Sequence, residues 1–179
     1  MPAWLSFLLE ILKSIVPALV VFATVYYMMD TWFKHQYQLQ VLKMKQEKKD
    51  VTIPLRLQAY ERLTILCERL SIPNLLLRVR NKDQNCATLH MALIMTIQQE
   101  FEYNLSQQIY VSSPLWEIIK LSRDDTFAIV NAVAEKTDPK SPAEELAREL
   151  LDYVRQQPVS SLEKAIEAVK KETSLVLAA

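Results

Sequence analysis

Apolar residues are distributed along this chain in two different ways. From Ser14 to Met29 they run almost without interruption (SIVPALVVFATVYYMM), whereas from about Leu55 onward they recur every three or four positions between polar residues. The first pattern is that of a segment surrounded by lipid, and the second that of amphipathic helices with one buried face. The block of about 16 residues falls short of the roughly 20 that a span needs, but Trp4 to Leu12 lengthens it, interrupted by Glu10 and Lys13. A helix from Trp4 to Trp32 covers roughly 42 Å at about 1.5 Å per residue, close to a full bilayer with its headgroups. Trp4 then reaches one interface, and Tyr26, Tyr27, Trp32 and Lys34 reach the other.

The flanks of the block assign an orientation. Lys34, Lys43, Lys45, Lys48 and Lys49 follow it with only Glu47 among them up to Lys49, while the amino-terminal side offers Lys13 beside Glu10. Positive flanks stay inside, so the long carboxy-terminal part is expected in the cytoplasm, with the amino terminus outside a cytoplasmic (inner) membrane. A cleaved signal peptide ending near Val21-Phe22-Ala23 is the competing reading. It lacks the positive amino-terminal region of such peptides, and an uncleaved anchor is expected.

Within the span, Glu10, Lys13, Ser14, Pro17 and Thr24 fall near one helical face. Two readings follow. The stripe packs against other transmembrane helices and contributes to an ion path, or Glu10 and Lys13 pair at the interface while Thr24 bonds its own backbone. Past the span, KHQYQLQVLKMKQEKK places Tyr37, Val41 and Met44 at i, i+4 and i+7, a helical stripe suited to self-association as a short coiled coil; its lysines suit anionic lipid.

The amphipathic part reads as four or five helices. Asp50 to Pro54 (DVTIP) is expected to break the stalk, and Leu55, Ala59, Leu63, Leu66 and Leu70 trace the next apolar face up to Pro73. Asn74 to Arg80 has no clear type, and Asn85 is a plausible cap. The longest soluble element is expected from Cys86 to about Val111, on Leu89, Leu93, Ile97, Phe101, Leu105 and Ile109. Ser113-Pro114 opens the next helix as cap and first residue, with Leu115, Ile118, Ile119 and Ser122 inward. Ser141-Pro142-Ala143-Glu144 reads as a capping box before Leu146 and Leu150, and Ser160 with Glu163 as a second.

Composition then removes whole classes of function. The chain of 179 residues contains no glycine. Left-handed turns, bulges and primed hairpins rely on glycine, so its absence favours helices. It also excludes the Walker loop, the dinucleotide fingerprint and the nucleophile elbow. Basic and acidic residues balance at 21 each, and from Asp50 onward the chain is mildly acidic, unlike a nucleic-acid binder. Cys67 and Cys86 are expected as free thiols. His90 stands four residues after Cys86, half of a zinc site with no second half, and Glu100 and Glu102 point to different sides of a helix. No cofactor and no catalytic set is expected.

The amide-rich stretch around Gln99, Glu102, Asn104, Gln107 and Gln108 reads either as a partner surface or as an ordinary solvated face. Two segments, PLRLQAYERLTILCERLSIPNLLLRV (Pro54 to Val79) and QQEFEYNLSQQIYVSSPLWEII (Gln98 to Ile119), follow a short span in this order. In this the chain resembles a family of bacterial membrane proteins with no established function, up to about the second capping box. The resemblance implies the same layout and carries over no activity, cofactor or catalytic residue.

The expectation is therefore an all-α protein: a transmembrane anchor over residues 1–33, a basic amphipathic stalk over 34–52 and a cytoplasmic helical domain over 53–179. The expected role is that of an interaction or scaffold subunit, not an enzyme. It meets membrane lipid, further copies of itself or other membrane proteins, and no nucleic acid. The alternative is a membrane subunit whose polar stripe conducts or senses ions.

Overall fold

The computed structural model describes residues 3–157 and 159–178; the side chains of residues 3–9, 11, 12, 14, 45 and 47–49 lie outside the described set. The protein is all-α. Its elements are α1 (Ala3–Leu70), α2 (Ile72–Val79), α3 (Cys86–Tyr103), a 3-10 turn (Leu105–Ile109), α4 (Ser113–Ala134), α5 (Ala143–Gln156) and α6 (Ser161–Ala178). Two compact units divide the chain, Met1–Val51 and Thr52–Ala179. Each is described by itself.

In the first unit, Ile15–Met44 is a stretch of 30 residues long and apolar enough to cross a membrane. From Ile15 to Gln40 its side chains are all exposed. The expected break at Asp50 to Pro54 does not form, because α1 is helical throughout this stretch. Pro54 removes one donor, the amide that the Asp50 carbonyl would accept from, and a helix interior loses about 3 kcal/mol by this. Asp50, Val51, Thr52 and Pro54 are exposed, so water can take the freed carbonyl, and good helix formers continue on both sides.

The second unit has one core. α1 contributes Leu63, Leu66 and Leu70, α3 contributes Leu89, Leu93, Ile97 and Phe101, and α5 contributes Leu146 and Leu150. α3 packs against α2, α4 and α5, and α4 against α5 and α6. The rings of Phe101 and Trp116 stack at 5.5 Å, and the Arg123 guanidinium lies 4.2 Å from the other ring centroid, that of Phe101, tying α3 to α4. Ser112 meets Glu172 and Ser122 meets Ser161, so α4 and α6 run antiparallel.

Three helix ends depart from the local signals. The long helix expected to reach Val111 stops at Tyr103, where Asn104 turns back to donate to the Glu100 carbonyl at 2.8 Å; Leu105 and Ile109 are consequently exposed. The cap of α4 is Ser112 rather than Ser113, accepting from the Leu115 amide at 3.3 Å. The Ser141 capping box does not form: Pro142 is the cap residue and carries no side-chain bond. There the chain pairs with the start of α3 instead, Cys86 donating to the Ser141 carbonyl at 2.9 Å and Ala143 to the Gln84 carbonyl at 3.0 Å. The Ala143 amide at the start of α5 is thereby satisfied by tertiary pairing rather than by a capping side chain.

Two local signals do form. Asn85 accepts from the Thr88 amide at 2.8 Å, and Ser160 with Glu163 makes a reciprocal box at 3.1 and 3.3 Å. Among the described residues no backbone φ is positive. Without glycine the helices end in extended or right-handed residues, as at Arg80 and Gln157, rather than in a left-handed cap.

Candidate functional site

The residues proposed for the membrane edge lie along the exposed helix of the first unit. Tyr26, Tyr27 and Trp32 are exposed, and Lys34 pairs with Asp30 one turn earlier at 2.7 Å. Thr24 donates within its own helix, to the Val20 and Val21 carbonyls at 3.0 and 2.8 Å, and Thr31 does the same to Tyr27. Hydroxyls inside the apolar stretch are thus satisfied without a neighbour. Glu10, Lys13 and Pro17 are exposed, and no ion pair joins Glu10 to Lys13 among the described residues. The side chains of Trp4 and Ser14 lie outside the described set. Of the stalk stripe, Tyr37 and Met44 are exposed and Val41 is half-buried.

The amide-rich surface divides. Gln99, Glu102 and Gln108 face solvent, but Asn104 and Gln107 are buried, which removes them from any partner surface. The reason is the early end of α3: past Tyr103 the chain tightens into a 3-10 turn, Asn104 caps the helix, and Gln107 turns inward to donate to the Ser106 hydroxyl at 3.2 Å. The outward residues of α3 include a stripe at helical spacing, Met91, Met95, Gln98 and Glu102. Its last two members bond each other at 2.6 Å. Half of this face is flexible and apolar and half can exchange hydrogen bonds.

Two carboxylate clusters in the second unit carry no local sequence signature. Glu172 on α6 accepts from the Tyr60 hydroxyl at 2.9 Å, the Arg56 guanidinium at 3.3 Å, the Ser112 amide at 2.9 Å and the Ser112 hydroxyl. Arg56 also donates to Tyr60 at 2.7 Å and to the Tyr110 carbonyl at 3.1 Å. Burial alone would raise the Glu172 carboxyl, but the Ser112 and Tyr60 hydrogen bonds with the Arg56 charge bring it below its ordinary value. Tyr60 is pushed up by burial and by its bond to the Glu172 carboxylate. Glu100 takes Arg69 at 2.9 Å and Arg78 at 2.8 Å, clamping α3 to the end of α1 and to α2. These partners lie far apart in sequence, so only the fold brings them together.

A carboxylate holding so many donors is an anchor rather than a proton acceptor. His90 and Cys86 are occupied as well. His90 bonds Asn131 at 2.7 Å, and Cys86 directs its sulfur at the Pro142 carbonyl at 3.2 Å. Burial, with the Glu68 charge, pushes the Cys67 thiol up to about 12. Both thiols are free and buried. Among the described residues no three His, Cys, Asp or Glu side chains gather as a metal-holding group. A cavity between α2, α4, α5 and α6, lined by Ile72, Asp125, Ile129, Val154 and Ser160, holds about 250 Å³. Surface grooves of about 420 Å³, lined by Lys136, Glu145, Glu149 and Tyr153, and of about 510 Å³, lined by Glu61, Arg62, Arg69 and Glu100, are larger and within the size range of small-molecule sites.

A family model described as a family of unknown function (DUF7935) matches residues 6–176. No curated protein and no solved structure matches the chain.

Proposed function

The chain belongs to the DUF7935 family, of unknown function, along nearly its whole length, and from that premise we propose that it is a membrane-anchored interaction subunit and not an enzyme. In this reading the apolar helix holds the protein in the cytoplasmic membrane, amino terminus outside, and the domain from Thr52 works in the cytoplasm as a scaffold. It assembles with further copies or with other membrane proteins, through the stalk stripe Tyr37, Val41 and Met44 and the outward face of α3.

The observation that carries the reading is the pairing, in one chain, of an exposed apolar helix with a domain whose half-buried carboxylates are consumed by its own packing. A lipid-solvated helix costs nothing only in a bilayer, and the lysines at 43, 45, 48 and 49 suit its cytoplasmic side. The outward face of α3 supports contact, since methionines and amides adapt to a partner.

Native mass measurement of the protein extracted at its natural abundance, together with crosslinking in cells, tests the assembly. Species heavier than one chain are expected; a lone chain with no crosslinked neighbour refutes it. Protease added outside intact spheroplasts should leave the domain uncut, and digestion from that side reverses the orientation.

A further inference from the structure

α6 differs from the other helices of the domain in how it is held. Its buried side chains are Leu162, Ala165 and Val169, whereas α3 buries Leu89, Leu93, Ile97 and Phe101 along a stripe of similar length. α6 rests chiefly on α4, while α3 is enclosed by α2, α4 and α5. Burial stabilises in proportion to the apolar area removed from water, so α6, with Ile166, Ala168 and Val176 only half-buried beside its three buried side chains, is held by less fully enclosed apolar surface than α3. Polar contacts compensate at both ends. Ser122 donates to the Ser161 carbonyl at 3.0 Å at the start, and near the finish the Glu172 carboxylate gathers donors from Tyr60, Arg56 and Ser112.

We infer that α6 is a releasable strap and that Glu172 is its latch. Between the two polar contacts, Leu115 and Ile119 of α4 stand at i and i+4, with Ser122 at i+7, on the face that α6 covers. Both are buried with the strap in place. Release therefore uncovers a continuous apolar strip on α4 while α3 and its enclosed stripe stay packed, which makes the opening local rather than global. The latch joins α6 to the first turns of the domain at Arg56 and Tyr60 and to the cap of α4 at Ser112. One carboxylate thereby pins the end of α6 on two sides, beyond the apolar face that α6 lays on α4. The inference does not depend on what the membrane unit does, and the domain's opening is read directly.

Hydrogen exchange of the full-length protein in lipid nanodiscs, read by mass spectrometry helix by helix, tests it. In the wild type α6 is expected to exchange faster than α3 by at least about tenfold. Glu172→Gln removes the charge and presents an amide donor to groups that are themselves donors, and is expected to speed α6 by a further factor of about ten or more, with α3 and α5 within about twofold. Equal rates for α6 and α3 in the wild type overturn the strap. Equal acceleration of every helix by Glu172→Gln, or no acceleration of α6, overturns the latch. Should Glu172→Gln leave no protected core, Tyr60→Phe, which withdraws one hydroxyl from the Glu172–Arg56 cluster and touches no helix cap, decides by the same readings.

Discussion

Glu172 shows how much one side chain can depend on the fold. Its carboxyl titrates below the ordinary value of 4.5, so its contribution to stability is fully present above that value and is lost as pH falls through the lower folded value. Denaturant unfolding of the domain is expected to weaken below about pH 4.5, and Glu172→Gln should flatten that dependence; an unchanged slope would separate Glu172 from acid stability. Tyr60 acts with the opposite sign, since its raised value keeps the ring protonated, a contribution present below pH 10 and lost as pH rises through the folded value. Cys67 is predicted to be inert, because a thiol raised to about 12 and buried yields almost no thiolate at pH 8. Neither Cys67 nor Cys86 should react with a disulfide reagent in the folded protein, and both should react in denaturant. At this scale the sequence revealed groups whose partners are neighbours, such as Asn85 with Thr88. It concealed Glu172, whose partners stand 60, 112 and 116 positions away.

The helices divide along the same line between local and distant partners. Ser160 and Glu163 satisfy each other's backbone amides, so their box was readable and forms. Ser141 was equally readable and does not cap, because α3 supplies the backbone partners at that site. Ser160→Ala is therefore expected to cost about 1 kcal/mol, and Ser141→Ala no more than about 0.5 kcal/mol, in denaturant unfolding of the domain. Equal losses would mean that the two ends are capped alike. The break expected at DVTIP failed for a related reason. A proline signal is a statement about one lost hydrogen bond, and flanking propensity with water on the exposed carbonyl can outweigh it. α3 ended early because Asn104 bonds backwards, a choice that apolar spacing does not register.

At the scale of the molecule, the unit Thr52–Ala179 owns its core, with the contributors from α1, α3 and α5 all inside it. A fragment of residues 52–179 is expected to fold without the apolar helix and to unfold cooperatively, and Leu89→Ala to lower its stability by about 2–5 kcal/mol. A fragment with no cooperative transition would show that the domain needs the first unit. The all-α class, the apolar helix near the amino terminus and the period-four stripe through Leu89, Leu93, Ile97 and Phe101 were determined by sequence alone. Each follows from the spacing of apolar residues or from the absence of glycine, and these act over a few positions of chain. The tertiary structure alone decided that Glu172 and Glu100 become half-buried anchors, that Asn104 and Gln107 turn inward, and that Ser141 loses its capping role. Those outcomes depend on which donors and acceptors arrive from distant helices, and a buried polar group takes whichever partner the packing brings within reach.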